Sequence, residues 1–245
     1  MSPRPWLARP VSLQNSRSLL FCIPHAGAGS VFFRGWRTVL APEISVWPVL
    51  LPGRESKIGE PPATRVVELV EPLLQAILGE IDRPYALFGH SMGSVIAYEL
   101  ARSLTAAGHP PQRLFVSGRP APQLGASLRG TAALSDDEFV DLLHGLNGTP
   151  REVLDNPELL EIFLPTLRAD FELNESFEPA PGPRLACGVS AFVGLDDPEV
   201  SSEHVEAWRE VTTGPFEFRA FPGDHFFHQG PPGELVEAIR RPLRS

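Results

Sequence analysis

The pentapeptide Gly89-His90-Ser91-Met92-Gly93 has the spacing G-x-S-x-G. A short apolar run (85–88) precedes it and a helical pattern (94–107) follows. That setting predicts a sharp strand-to-helix turn carrying a nucleophilic serine. A serine hydroxyl is a weak nucleophile and needs a base within reach. The chain has seven histidines. His90 sits too close to Ser91 to reach over the turn. His109, His144 and His204 fall on surface elements, and His25 falls in the first turn. His225 and His228 follow the last apolar run. His225 is nearer the strand end and is the expected base, while His228 is expected to pack locally. An acid to orient the base should end an earlier strand. Gly194-Leu195-Asp196-Asp197-Pro198 offers two. Pro198 biases the residue before it toward extended backbone, which favours Asp197; Asp196 is expected to bond within its turn. Two amides should receive the developing oxyanion: that of Met92, just after the nucleophile, and that of Ala26 in the turn Pro24-His25-Ala26-Gly27-Ala28-Gly29.

Two other chemistries fit poorly. Residues 27–32 carry part of a dinucleotide-binding pattern, but Phe32 occupies the sixth position, where a small residue is needed. His225 and His228 have no nearby third ligand for a metal. Cys22 and Cys187 stand far apart, which excludes a disulfide framework and reads as two buried thiols. The net charge of −9 argues against nucleic acid. Residues 1–18 hold no apolar core of a signal peptide, and no apolar run reaches membrane-spanning length, so a cytoplasmic protein is expected.

These side chains need a scaffold that gathers them. The run 19–23 reads as a strand buried on both faces. Helical spacing follows at Phe32, Phe33, Trp36 and Leu40. A second strand over 44–51 contains Pro48, which points to a sheet edge or a bulge. Val66, Val67, Val70, Leu73, Leu74, Ile77 and Ile81 make an amphipathic stripe, with a kink expected at Pro72. Strands at 85–88 and 114–117 flank the helix after Ser91, which Gly108 closes. Strands return at 187–193 and 216–221, with helices at 202–210 and 234–239. The alternation implies an α/β fold with a mostly parallel, doubly wound sheet, in one domain over 1–245. Between 119 and 183 no strand pattern occurs, while Phe139, Leu142, Leu143 and Leu146, then 159–173, suggest helices. An insertion of that length reads as a lid. Its stretch 131–178 holds 12 acids against 2 bases.

Leu20-Phe21-Cys22-Ile23-Pro24-His25-Ala26-Gly27-Ala28-Gly29 resembles the opening strand and turn of type II thioesterases, the stand-alone editing enzymes of polyketide and nonribosomal peptide synthases, which are α/β-hydrolases. Leu51-Pro52-Gly53-Arg54-Glu55, Phe88–Gly93, Leu164-Pro165-Thr166-Leu167-Arg168-Ala169-Asp170, Asp197-Pro198 and 221–227 resemble further segments of that family. Ala28 and Asp224 stand where the family more often has glycine. The negative charge of Asp224 should favour protonated His225. The resemblance implies hydrolysis of acyl thioesters on the phosphopantetheine arm of an acyl or peptidyl carrier protein, by Ser91, His225 and Asp197, with no metal or dissociable cofactor. A monomer acting on neither nucleic acid nor membrane is expected. Met1 and the short lead before the first strand suggest a free-standing protein rather than a synthase's releasing domain. A carboxylesterase for small oxygen esters and a non-catalytic carrier-binding module are the alternatives. Carrier proteins are acidic, so docking is expected away from the acidic lid, at Arg54, Lys57 and Arg119.

Overall fold

The computed structural model describes residues 5–9, 16–229 and 233–244. The expected absence of a leader falls partly on residues outside these, at 1–4 and 10–15. Six strands form one sheet: β1 (Ser18–Ile23), β2 (Ile44–Pro48), β3 (Tyr85–His90), β4 (Arg113–Ser117), β5 (Gly188–Gly194) and β6 (Phe216–Phe221). Their order is β2-β1-β3-β4-β5-β6 and every neighbouring pair is parallel. β2 is an edge strand, one of the two places Pro48 allowed, and it ends at Pro48 rather than running on to Leu51.

Eight α-helices connect and flank the strands among the described residues: α1 (Arg34–Val39), α2 (Val66–Leu78), α3 (Met92–Ala106), α4 (Asp136–Leu146), α5 (Arg151–Leu154), α6 (Pro157–Glu175), α7 (Ser202–Glu206) and α8 (Gly233–Arg240). The period-two alternation of a strand sorts β1 onto two cores. Leu19, Phe21 and Ile23 join the core covered by α2 and α3; Leu20 and Cys22 join the one covered by α1 and α8. Both faces are therefore buried, which explains unbroken apolar runs in place of alternation. On α2 the buried stripe is Val66, Leu69, Leu73 and Ile77. Val67 lies outside it and is exposed, contrary to the expected stripe. Cys22 is buried but Cys187 only partly so.

The segment between β4 and β5 carries α4, α5 and α6 and no strand. Ser135 caps α4 through a reciprocal pair with Glu138, and the Asn156 side chain caps α6. Phe139, Leu143, Leu154 and Leu167 form a third, smaller core inside this segment. No helix among the described residues is long and apolar enough to cross a membrane.

Because the strands are parallel, the loops after β1, β3, β4, β5 and β6 all leave the same edge of the sheet. That edge is where open α/β sheets place their ligands.

Candidate active site

Ser91 occupies the single residue between β3 and α3, with φ 49° and ψ −120°. A non-glycine residue at such a positive φ stores about 1–3 kcal/mol of strain. Two glycines permit the turn. A Cβ on Gly89 would lie 2.1 Å from the Gly93 carbonyl oxygen, and one on Gly93 would lie 2.3 Å from that of Ile23. The turn is tied down from the next strand, since Ser91 N–H donates to the Ser117 carbonyl at 2.8 Å. Ser94 Oγ bridges the Gly89 and Ser117 carbonyls.

Asp197 follows β5 and His225 follows β6. His225 Nδ1 and Asp197 Oδ2 are 2.8 Å apart, with the aspartate side chain fully buried. The other carboxylate oxygen, Oδ1, accepts from the amides of Glu199 and Val200. Asp197 is thus fixed from both sides, whereas Asp196 is exposed. With Nδ1–H donating to Asp197, His225 Nε2 is left as the ring's acceptor.

Ser91 and His225 line one cleft together with His25, Ala26, Glu199 and Phe226. Its far wall comes from the β4–β5 segment: Leu143 and Leu146 of α4, Gly148 and Thr149 after it, and Phe171 of α6. The cavity measures about 40 Å³, room for about three waters. The backbone N–H groups of Ala26 and Met92 donate to no other group among the described residues. Met92 opens α3, so its amide lies at the positive end of the helix dipole.

Electrostatics single out His225. Burial lowers its proton affinity, but the hydrogen bond to Asp197 and the charges of Glu199, Asp197 and Asp224 outweigh that and raise its pKa above the ordinary 6.5. Three other histidines crowd it. The His90 ring lies 3.7 Å from that of His228 and 4.8 Å from that of His225. Burial, reinforced by the other charges, pushes His25 down to about 3 and holds His90 and His228 well below the usual range. These rings stay neutral, so a proton taken into the cluster resides on His225. His90 is held by Ser117 Oγ at 3.0 Å.

The model of the thioesterase domain family matches residues 18–243. The chain belongs to the thioesterase family. Among curated relatives, this thioesterase is 40% identical to the gramicidin S biosynthesis protein GrsT of Aneurinibacillus migulanus, over 92% of this chain and 88% of that one. It is 38% identical to a Brevibacillus parabrevis protein named linear gramicidin dehydrogenase LgrE, covering 100% and 95%. Among solved structures, the type II thioesterase BorB from the borrelidin biosynthetic cluster superposes with TM-score 0.88 at 36% identity, covering 98% of each chain. The word dehydrogenase in one of those names finds no counterpart in this turn. A Cβ on Gly29 would meet the Glu55 carboxylate at 2.7 Å, so an acid stands where a pyrophosphate would have to lie.

The structure overturns one expectation for this thioesterase. Arg54, Lys57 and Arg119 are 6%, 2% and 2% exposed, so none offers a docking surface. Arg54 pairs with Asp170, and Lys57 pairs with Glu60 and lies over the Trp6 ring. Arg119 holds Asn174, and burial pushes its pKa down to about 9. Sequence reasoning takes Arg54 and Arg119 as surface cations because their partners lie on distant elements, and Lys57 because the Trp6 ring that covers it lies far back in the sequence. It also passed over Glu199, whose Oε1 lies 3.9 Å from His225 Nδ1. The signal available was its position two residues after Asp197.

Proposed function

We propose that this thioesterase hydrolyses acyl groups from the phosphopantetheine arm of carrier proteins, clearing stalled or aberrant intermediates of polyketide or nonribosomal peptide assembly. The observation that carries the reading is the cleft that joins Ser91 to the Asp197–His225 pair and is walled by the β4–β5 helices. The relatives' names supply the pathway class: gramicidin S biosynthesis for GrsT, the borrelidin cluster for BorB.

In this reading Ser91 Oγ attacks the thioester carbonyl as its proton passes to His225 Nε2. The oxyanion sits between the amides of Ala26 and Met92. Asp197 orients His225 and stabilises the imidazolium without taking its proton. The tetrahedral species collapses, the C–S bond breaks, and the pantetheine sulfur leaves with the proton from His225. A water then gives a proton to His225 and attacks the acyl-enzyme. Ser91 departs with that proton and the free acid is released. The reaction uses no metal or dissociable cofactor. The enzyme acts as a cytoplasmic monomer with a carrier protein as its partner, and the β4–β5 helices, residues 119–183, serve as its lid.

The test compares turnover of acyl-pantetheine thioesters with matched oxygen esters, over acyl groups of increasing length. A thioester preference is expected; a strong oxygen-ester preference would make the protein a carboxylesterase instead.

A further inference from the structure

The opening turn is held from outside by two segments that contain no proposed catalytic residue. Arg54, six residues after β2, and Asp170, in α6, form a two-pronged ion pair: Nη2 to Oδ1 at 2.6 Å and Nη1 to Oδ2 at 2.7 Å. Both side chains are at most 6% exposed. Asp170 Oδ2 also accepts the Gly27 N–H at 2.7 Å, and Arg54 Nη1 donates to the Ala28 carbonyl at 3.1 Å. The ion pair therefore grips the Ala26–Gly27 and Ala28–Gly29 peptides of the turn. Gly27 lies at φ +76°, and a Cβ there would come within 2.5 Å of the Leu167 side chain of α6. Thr166 Oγ1 donates to the Gly53 carbonyl, joining the same two segments again.

We infer that Asp170 is a positioning residue for the oxyanion hole. By accepting the Gly27 N–H it fixes the orientation of the turn, so that the adjacent Ala26 amide, which has no partner among the described residues, faces the carbonyl oxygen of the group that Ser91 attacks. The inference rests on the proposed roles of Ser91 and Ala26. A buried ion pair is poor evidence for stability, because its desolvation can exceed its attraction. This pair does something an apolar pair cannot, since a carboxylate or amide oxygen can hold Gly27 and a leucine cannot.

Two double variants isolate that one hydrogen bond. R54M/D170N removes both charges but keeps an oxygen able to accept from Gly27. R54M/D170L removes both charges and the acceptor. With matched thermal midpoints, R54M/D170L should have a kcat about tenfold to hundredfold below that of R54M/D170N, because misplacing a reacting group by about 1 Å costs up to about a hundredfold. KM should stay nearly constant. Equal kcat values in the two variants would overturn the inference. The rate of fluorophosphonate labelling at Ser91, which needs no thioester, gives the same comparison independently. If the wild-type chain labels at Ser91 but hydrolyses no acyl-pantetheine, the proposed substrate fails while the labelling ratio still decides the role of Asp170. Equal labelling rates in the two variants would overturn the positioning role alone, and a wild-type chain not labelled at Ser91 would overturn both.

Discussion

The two halves of α6 are buried to different extents. Between Pro157 and Leu164 no residue is buried, and Ile162 is 54% exposed. After Pro165, Thr166, Leu167, Ala169, Asp170 and Leu173 are all buried. Pro165 has no N–H to bond back along the helix, so the boundary falls where the helix is weakest. The second half packs on α3 and grips the opening turn. Leu160, Phe163 and Leu164 of the first half pack on the small core of α4 and α5, which the second half shares through Leu167 and Phe171. One continuous helix thus joins a half that buries no residue to a half that is anchored against α3 and the opening turn.

The largest effect that sharpens this contrast is on the buried half. Asp170→Ala leaves Arg54 buried without its counter-charge and should cost about 3–5 kcal/mol in denaturant unfolding. Leu167→Ala, in the same half, should cost about 2–4 kcal/mol. Ile162→Ala, in the first half, should change stability by less than about 0.5 kcal/mol. A cost for Ile162→Ala as large as that for Leu167→Ala would break the division.

Much of the scaffold was legible because each local signal agreed with the global fold. Pro48 marked an edge or a bulge, and the glycines around Ser91 marked a turn whose clearances admit nothing larger. The pairing of Arg54 with Asp170 was not legible. Its members lie 116 residues apart, and nothing in the local pattern distinguishes a buried arginine from a surface one. The same reason misassigned Arg119, whose partner Asn174 lies 55 residues away; Lys57 pairs locally with Glu60, and what hides it is the distant Trp6 ring. Val67 was misplaced because a seven-residue stripe drawn too wide includes a position that faces solvent.

Smaller effects probe the wall. Phe226 lines the cleft, and a Cβ on Gly148 would lie 2.7 Å from its ring. Phe226→Ala should therefore raise turnover of longer acyl groups several-fold relative to acetyl, measured as a ratio of kcat/KM values. An unchanged ratio would mean that the wall does not set the chain length.

The smallest effect is on pH. The base must be neutral to accept a proton, so kcat/KM should fall as pH drops through a midpoint above 6.5, the raised pKa of His225. The groups facing it are Asp197 and Glu199 after β5, Asp224 after β6, His90 on β3, and the neutral His25 and His228. Glu199→Gln removes one of the anions that raise this pKa and should shift the midpoint downward. An upward shift would contradict the electrostatic account.

The most direct measurement is the steady-state and burst kinetics of Ser91→Ala against wild type on an acyl group loaded on a carrier protein, with intact-protein mass spectrometry. The account expects an acyl adduct on wild type alone and a loss of about 10⁴–10⁶ in kcat for the variant. Turnover by Ser91→Ala at the wild-type rate would contradict it.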